Sequence, residues 1–379
     1  MANQPKTETP TSAFRFETAE GGYAIKQYVG KEKSVVLPSL YQGKPITEIG
    51  MEAFSEHTTL TEITVPASVT NISWFAFSGC TALKSICVAE DNPAYLSIDG
   101  NLYTKDGKTL LRYAIGKTEE RFALPKGVTK IGDSALSGAS LTEVLLPHGL
   151  TEIEDWAFLG CESLTALALP DTLKAIGEAA FEDCDSLTEL ILPNSLTELG
   201  DYMCESCDSL RRVVLPKALT KLNNGAFSDC DSLTEVLLPA TLIEIGDHAF
   251  EHCEALTAIT LPESLVKIGW SAFASCTSLT APVLPDALTE IGGYAFLECN
   301  SLTQMVIPAS VSLIGEAAFL SCENLKRLIF ANPNGWYVTD NSFESLLTPK
   351  GERIDLTASA QSARYFTEAY CEGHYWYKK

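Results

Sequence analysis

Nothing at the start of the 379-residue chain reads as a targeting signal: "MANQPKTETPTSAFRF" is polar and holds no apolar h-region. No run approaches the ~18 apolar residues that a transmembrane helix needs, which excludes helical membrane insertion. With Met1 as the native start the expectation is a cytoplasmic protein; a secreted or surface location stays open if a leader was removed ahead of it. Positive charge is scarce, with 27 Lys and Arg against 49 Asp and Glu. The resulting formal charge of -22 repels phosphates and argues against nucleic acid and anionic membrane as partners. No G-x-S-x-G, Walker loop, dinucleotide fingerprint or H-E-x-x-H occurs, so no nucleophile, phosphate cradle or zinc helix can be assigned. The expectation is a non-enzyme with no catalytic residue, no cofactor and no metal site.

What the chain does have is enough apolar material for a core, 46% of its residues, and a period. Pro147, Pro170, Pro193, Pro216, Pro239, Pro262, Pro285 and Pro308 stand 23 residues apart. Cysteines keep the same beat from Cys161 through Cys184, Cys207, Cys230, Cys253, Cys276 and Cys299 to Cys322, with Cys80 upstream. Phenylalanines such as Phe158, Phe181, Phe227, Phe250, Phe273, Phe296 and Phe319 follow it too. A fixed period of this size is the signature of a solenoid.

One unit reads L-x-x-[IVL]-x-[LVI]-P-x-x-L-x-x-I-G-x-x-A-F-x-x-C-x-x. In "LTEVLLP", Val236 and Leu238 share one face of a strand and Leu237 takes the other. Pro239 then ends the ladder. "LIEIG" predicts a second brief extended piece and a turn at glycine. Asp247 stands where a helical N-cap would, before a helical or 3₁₀ turn carrying Ala249, Phe250 and Cys253. No coil buries its apolar set alone, so about a dozen must stack, giving a rod of roughly 55 to 60 Å.

The opening L-x-x-L-x-L is a leucine-rich repeat signature without its usual asparagine. The form "LPxSLTxIGxxAFxxCxSLTxI" resembles the BspA-like leucine-rich repeat family over residues 34–330. That resemblance implies a right-handed β-rich solenoid with a parallel sheet on one face and short strands and 3₁₀ or helical turns on the other. It also implies a binding module of adhesins, surface proteins or scaffolds, with no catalytic residues to carry over.

Three segments break the period. Residues 1–33 contain "FRFETAEGGYAIKQYVG", a hairpin expected to cap the first coil. A stretch near 89–124 carries Asp99-Gly100 and Asp106-Gly107, both hairpin signals, and predicts a hairpin or meander projecting from the solenoid. Its aspartates lack EF-hand spacing, so turns are favoured over calcium. Residues 331–379 are read as a C-terminal cap with a helix near Ala360 to Tyr370, since an open solenoid end exposes apolar cross-section and strand edges.

Candidate chemistry reduces to a few patterns. Cys204 and Cys207 form a C-x-x-C, but Cys207 belongs to the cysteine column and Cys204 replaces a ring, so both are read as buried structural thiols. Column neighbours point the same way, a poor disulfide geometry, and free thiols are expected. His248, His252 and Cys253 read as a surface coincidence of spacing. Glu162, Asp185, Asp208, Asp231 and Glu254, joined by Asp183 and Asp229, predict a solvated acidic ridge. Trp156, Ala179, Tyr202, Gly225, His248, Ser271, Tyr294 and Ala317 alternate large and small, which packing between coils accounts for, while an aromatic row for sugars or peptides stays open.

The strand's outward column is the best functional candidate: Leu145, Ala168, Ile191, Val214, Leu237, Thr260, Val283, Val306 and Ile329. Aligned, these make an apolar stripe of the kind that marks binding surfaces. Beside it run Glu143, Glu189 and Glu235, with Arg211 and Arg212 in the middle and Lys326-Arg327 at the end. The predicted site is therefore Arg211, Arg212, Glu189, Glu235, Ile191, Val214 and Leu237, gripping a protein partner on the sheet face of a monomer. Adhesion to a host protein or glycan is the alternative.

Overall fold

A computed structural model describes residues 7–339 and, beyond them, 352–353, 356, 363–364, 366–367 and 374–378. The helix expected near 360–370 lies for the most part outside the described residues. The chain is a β-solenoid of stacked parallel strands, and it divides into two compact units, Met1–Leu164 and Thr165–Lys379.

Unit Met1–Leu164 opens on the antiparallel hairpin Phe14–Ala19 and Gly22–Tyr28, with Phe14 opposite Tyr28. The second strand continues in parallel to Lys44–Ile49, and that strand to Asn71–Ile72. Aromatic rings of Phe14, Tyr28 and Phe54 close the first core, with centroids 5.3 to 6.5 Å apart. On another side Ser34–Val36, Glu62–Val65 and Ser85–Val88 form a parallel ladder. The inserted stretch begins at Asn92, fully buried, whose amide donates to the carbonyls of Pro66 and Val69 at 2.9 and 2.8 Å. Its hairpin Tyr95–Ile98 and Asn101–Thr104 turns at Asp99 and Gly100, both left-handed. The next strand, Thr109–Arg112, pairs antiparallel with that hairpin and parallel with Lys130–Ile131, which pairs on to Glu152–Ile153. The insertion thus supplies a strand of the solenoid itself as well as a hairpin.

In unit Thr165–Lys379 each coil makes up to three rows of bonds to the next. The first row is the open face: Glu189–Ile191, Arg212–Val214 and Glu235–Leu237 form one ladder and Gln304–Ile307 with Arg327–Phe330 another. The ladder is interrupted between them over residues 258–260 and 281–283, and in the second of these coils Pro282 has no amide to donate. The second row, of two-residue strands, runs further: Lys221–Leu222, Glu244–Ile245, Lys267–Ile268, Glu290–Ile291 and Leu313–Ile314. Its outer column alternates Lys221, Glu244, Lys267 and Glu290, with Lys-to-Glu contacts of 3.5 Å. Opposite charges facing across strands add a few tenths of a kcal/mol each. At the end, Tyr375–Lys378 covers Leu313–Ile314 in antiparallel sense and brings in the buried Trp376 and Trp336.

The third row corrects the expected helical turns. After each short strand the chain makes successive turns, because Tyr202 and Ser206, Gly225 and Asp229, and His248 and His252 have φ between 55 and 58°. A left-handed residue every fourth position stops a helix from propagating. The gain is intercoil bonding: the amides of Gly225, Phe227 and Asp229 donate to the carbonyls of Asp247, Ala249 and Glu251 at 2.8, 3.0 and 2.8 Å. All three point toward the following coil. Non-glycine residues in this region cost about 1–2 kcal/mol each, a cost these bonds offset.

Between the rows lies a core of repeated columns. Phe250, Phe273, Phe296 and Phe319 stack with centroids 5.3 to 5.5 Å apart, and each fully buried ring contributes roughly 1.5–3 kcal/mol. Glycine ends the two-residue strand for a steric reason. A Cβ on Gly292 would sit 2.4 Å from the carbonyl carbon of Gly269 in the coil before.

Candidate functional site

The open face of unit Thr165–Lys379 is set by strand alternation. Leu190, Val213 and Val236 point inward and are buried, so their neighbours on both sides face out. The register places Glu189, Arg212 and Glu235 in one row and Ile191, Val214 and Leu237 in the next. Six of the seven residues expected at the site therefore stand together. Arg212 binds both neighbours, contacting Glu189 through Nη1 and Glu235 through Nε at 3.1 Å. These carboxylates, Glu189 first, hold the guanidinium pKa above its ordinary value.

Arg211 behaves differently. It precedes the strand, its side chain is exposed, and it makes no ion pair among the described residues. Its backbone is engaged, the amide donating to the Thr188 carbonyl and the carbonyl accepting from Thr234 and Glu235. The two adjacent arginines thus divide into one neutralised clamp and one free cation.

The apolar row extends past the expected residues. Ile191 and Val306 are each 52% exposed and Val283 80%. Val283 stands where the ladder is interrupted at Pro282, beside a surface cavity of about 360 Å³ lined by Thr260, Leu261, Val283 and Pro285. In unit Met1–Leu164 the same pattern recurs: Arg121 lies opposite Glu143 and pairs with it, next to the exposed Leu145. Arg121 went unnoticed in the sequence, although it stands one coil of 22 residues before Glu143.

The other candidates resolve into structure. Cys204 and Cys207 are fully buried, and the cysteines among the described residues are free thiols. His248 Nδ1 bonds Glu251 Oε2 at 2.6 Å, and no group suited to a metal occurs among the described residues. Burial first, then Glu254 and Asp208, pushes the Asp231 carboxyl up. In the alternating column, a Cβ on Gly225 would lie 2.2 Å from the ring of Tyr202, so the ring occupies the space its small neighbour leaves.

Comparison with known proteins places the fold. A leucine-rich cell surface protein of Faecalibacterium prausnitzii A2-165 is 24% identical, with a TM-score of 0.51 over 88% of this chain and 97% of that one. A leucine-rich repeat protein of Bacteroides ovatus is 23% identical, with a TM-score of 0.44 over 84% and 98%. The T. pallidum leucine-rich repeat protein is 28% identical, with a TM-score of 0.31 over 66% and 91%. No curated protein matches the chain. The BspA type leucine-rich repeat region matches in six copies, over residues 28–103, 116–234 and 220–348. Those matches span most of the sequence, and the chain belongs to the BspA-type leucine-rich repeat family.

Proposed function

We propose that this chain is a non-catalytic interaction module that holds a protein partner on the open strand face of unit Thr165–Lys379. Leucine-rich repeat proteins are generally interaction modules, surface antigens or adhesins, and the fold is typically a scaffold. The observation that carries the reading is the exposed apolar row Ile191, Leu237, Val283 and Val306 beside the clamp of Glu189, Arg212 and Glu235. Apolar side chains aligned at one exposed face are the kind of surface that binding removes from water. The clamp holds its own charges rigid, and Arg211 offers the free cation for an acidic group on the partner.

A photocrosslinking residue at Leu237 or Val283 tests this directly. Partner capture from these positions, and its loss in Val214→Asp or Arg211→Glu with an unchanged circular-dichroism spectrum, supports the face. Capture that survives both substitutions moves the site elsewhere. Adhesion to a glycan is the second reading, favoured by the part-exposed rings of Tyr202, Trp270 and Tyr294. A glycan array with Tyr202→Ala as control separates the two.

A further inference from the structure

In unit Met1–Leu164 the coil that the insertion supplies is short in its turn. Its strand Thr109–Arg112 lies beside Lys130–Ile131, with Leu110 opposite Ile131. The Tyr113 amide then donates to the Ala135 carbonyl at 2.7 Å, as the Leu136 amide does to Ala157 at 2.8 Å one coil later. Ile131 stands five residues before Leu136, whereas Leu110 stands three before Tyr113. Two residues of the turn are therefore missing. Between Trp74 of the coil before and Asp133 of the coil after lies a cavity of about 280 Å³, whose wall also includes Phe77, Tyr95, Arg112 and Glu154.

The shortfall leaves backbone groups without their usual partners. Phe54, Phe227, Phe250, Phe273 and Phe296 each donate an amide to the alanine carbonyl of the next coil, at 2.8 to 3.0 Å. Phe77 occupies the same slot, yet its amide donates to no acceptor among the described residues, although the residue is only 2% exposed. On the far side, the carbonyls of Asp155 and Asp247 accept the amides of Ser134 and Gly225 at 3.0 and 2.8 Å, while that of Asp133 accepts no amide among the described residues. The great majority of buried backbone groups are paired, so an orphaned amide at a cavity wall points to a guest that meets it.

Two other polar groups of the wall are already engaged. The Tyr95 hydroxyl accepts from the Ile72 amide at 3.0 Å and donates to the Thr70 carbonyl at 3.2 Å. The Arg112 guanidinium, buried, donates to the carbonyls of Ser134 at 2.6 Å and Phe77 at 3.4 Å. Its charge and that of Lys130, which pairs with Glu154, balance Asp133 and Glu154. A charged guest would unbalance this wall, and an apolar one would leave the Phe77 amide unmet. Trp74, 36% exposed, adds a flat apolar surface backed by Trp156, the two indoles stacked with centroids 5.4 Å apart and planes 5° apart.

We propose that this cavity binds a secondary amide carried by a small neutral guest, which takes the place of the missing turn. Its carbonyl accepts from the Phe77 amide, its N–H donates to Asp133, and its planar body lies against Trp74. Elsewhere in the turn row the corresponding space is filled by a peptide unit, as between Phe227 and Ala249, so the repeat itself sets the chemistry of the guest. The same amide occurs in a peptide backbone and in an N-acetylated sugar. The volume lies just below the usual range for drug-sized ligands, about 300–1,000 Å³, and suits a guest of either kind.

The test uses the full, isotope-labelled chain and follows the Phe77 amide by nuclear magnetic resonance. The probes are N-methylacetamide, N-acetylalanine methylamide and N-acetylglucosamine, with methyl acetate and glucose as counterparts that lack the amide. The expected result is that an amide probe shifts the Phe77 resonance, slows its hydrogen exchange and binds at least about tenfold more weakly to Ser73→Leu, which fills the cavity. Urea midpoints confirm that this variant folds, and the Phe77 signal of the unaltered chain needs no variant at all. Tighter binding of the peptide or of the amino sugar supports the proposal and names the source of the amide. No binding of any amide probe up to about 10 mM overturns it, leaving the cavity to water. Methyl acetate binding as tightly as N-methylacetamide, glucose as tightly as N-acetylglucosamine, or a Phe77 amide unmoved by a bound probe also overturns it. So does a tenfold loss of binding between about 50 and 500 mM salt, since that marks a charged interaction. Val214→Asp on the open face should leave amide binding unchanged, so this result is independent of the partner reading.

Discussion

The thiol of Cys253 donates to the backbone carbonyl of Phe227 in the preceding coil, 3.1 Å away. The same bond joins Cys207 to Phe181, Cys276 to Phe250 and Cys299 to Phe273, each at 3.1 Å. The Phe227 amide donates forward to Ala249, while its carbonyl accepts the thiol. This gives the cysteine column a reason that hydrophobicity alone does not supply. Cysteine is small enough for the slot and carries a weak donor for a buried acceptor. Cys253→Ala is expected to cost about 1–3 kcal/mol by leaving that acceptor unmet in an apolar core. Urea unfolding should show a lower midpoint with the slope unchanged; an unchanged midpoint would show that the bond contributes nothing.

The same burial predicts an alkaline limit to stability. A thiol is neutral when protonated, and burial pushes Cys80 up to about 11 and Cys322 up to about 12 from an ordinary 9.0. The folded-state value is raised, so the contribution is fully present below about pH 9 and is lost as pH rises toward 11 to 12. Buried Tyr113, pushed up to about 12 by burial and Glu119, acts in the same direction from about pH 10. The urea midpoint should be flat from pH 7 to about 8.5 and fall beyond about 9. A midpoint flat up to pH 11 would mean that the thiols ionise without unfolding the chain.

The period, the inward and outward faces of the strand and the inserted turns were legible because each is a repeat or a local signal: Pro239 after Leu238, Val236 against Leu237, Asp99-Gly100. The left-handed turns were not. Their positions hold residues such as Tyr202, Trp156 and Ala179, which have no preference for that region, and the conformation comes from amide bonds to the next coil rather than from the side chain. Gly225, Gly79, Gly138 and Gly160 in those slots hinted at it, as did Asp183 and Asp229. The cavity of about 280 Å³, lined by Trp74, Tyr95, Arg112 and Asp133 among others, was hidden for another reason. It depends on Tyr95, two dozen residues away, entering a junction that the repeat pattern treats as closed. On the open face, composition placed Arg211 and Arg212 together, but the strand begins at Arg212, and this one-residue offset decides which arginine is clamped.

Gly292 offers a test of how tightly the coils approach. Its φ is ordinary, so an alanine there meets no backbone strain, only the backbone of Gly269 at 2.4 Å and of Trp270 at 2.6 Å. Backbone cannot rotate away as a side chain can. Gly292→Ala should therefore destabilise by about 1–3 kcal/mol as overpacking does, whereas Gly127→Ala, with nothing within 4 Å of the added carbon, should stay within about 0.5 kcal/mol. Equal effects at the two positions would show that the coil spacing relaxes to admit a methyl group.

A last prediction concerns the coil that lacks its ring. Where other coils carry Ala-Phe, as at Ala226-Phe227 and Ala249-Phe250, this one carries Met203-Cys204, and both side chains are fully buried. The pair exchanges a small and a large residue for a large and a small one, so the volume lost at Cys204 is returned by its neighbour. Restoring the ring alone overfills the slot: Cys204→Phe should cost about 1–3 kcal/mol. Met203→Ala alone should leave a cavity and cost about 2–5 kcal/mol. Together they rebuild the Ala-Phe coil and let the ring stack between Phe181 and Phe227, so the double variant should be more stable than either single one. The coupling from a double-mutant cycle should reach about 0.5–3 kcal/mol. Additive losses would mean that Met203 does not fill the space Cys204 leaves, and that the two substitutions in this coil arose without reference to each other.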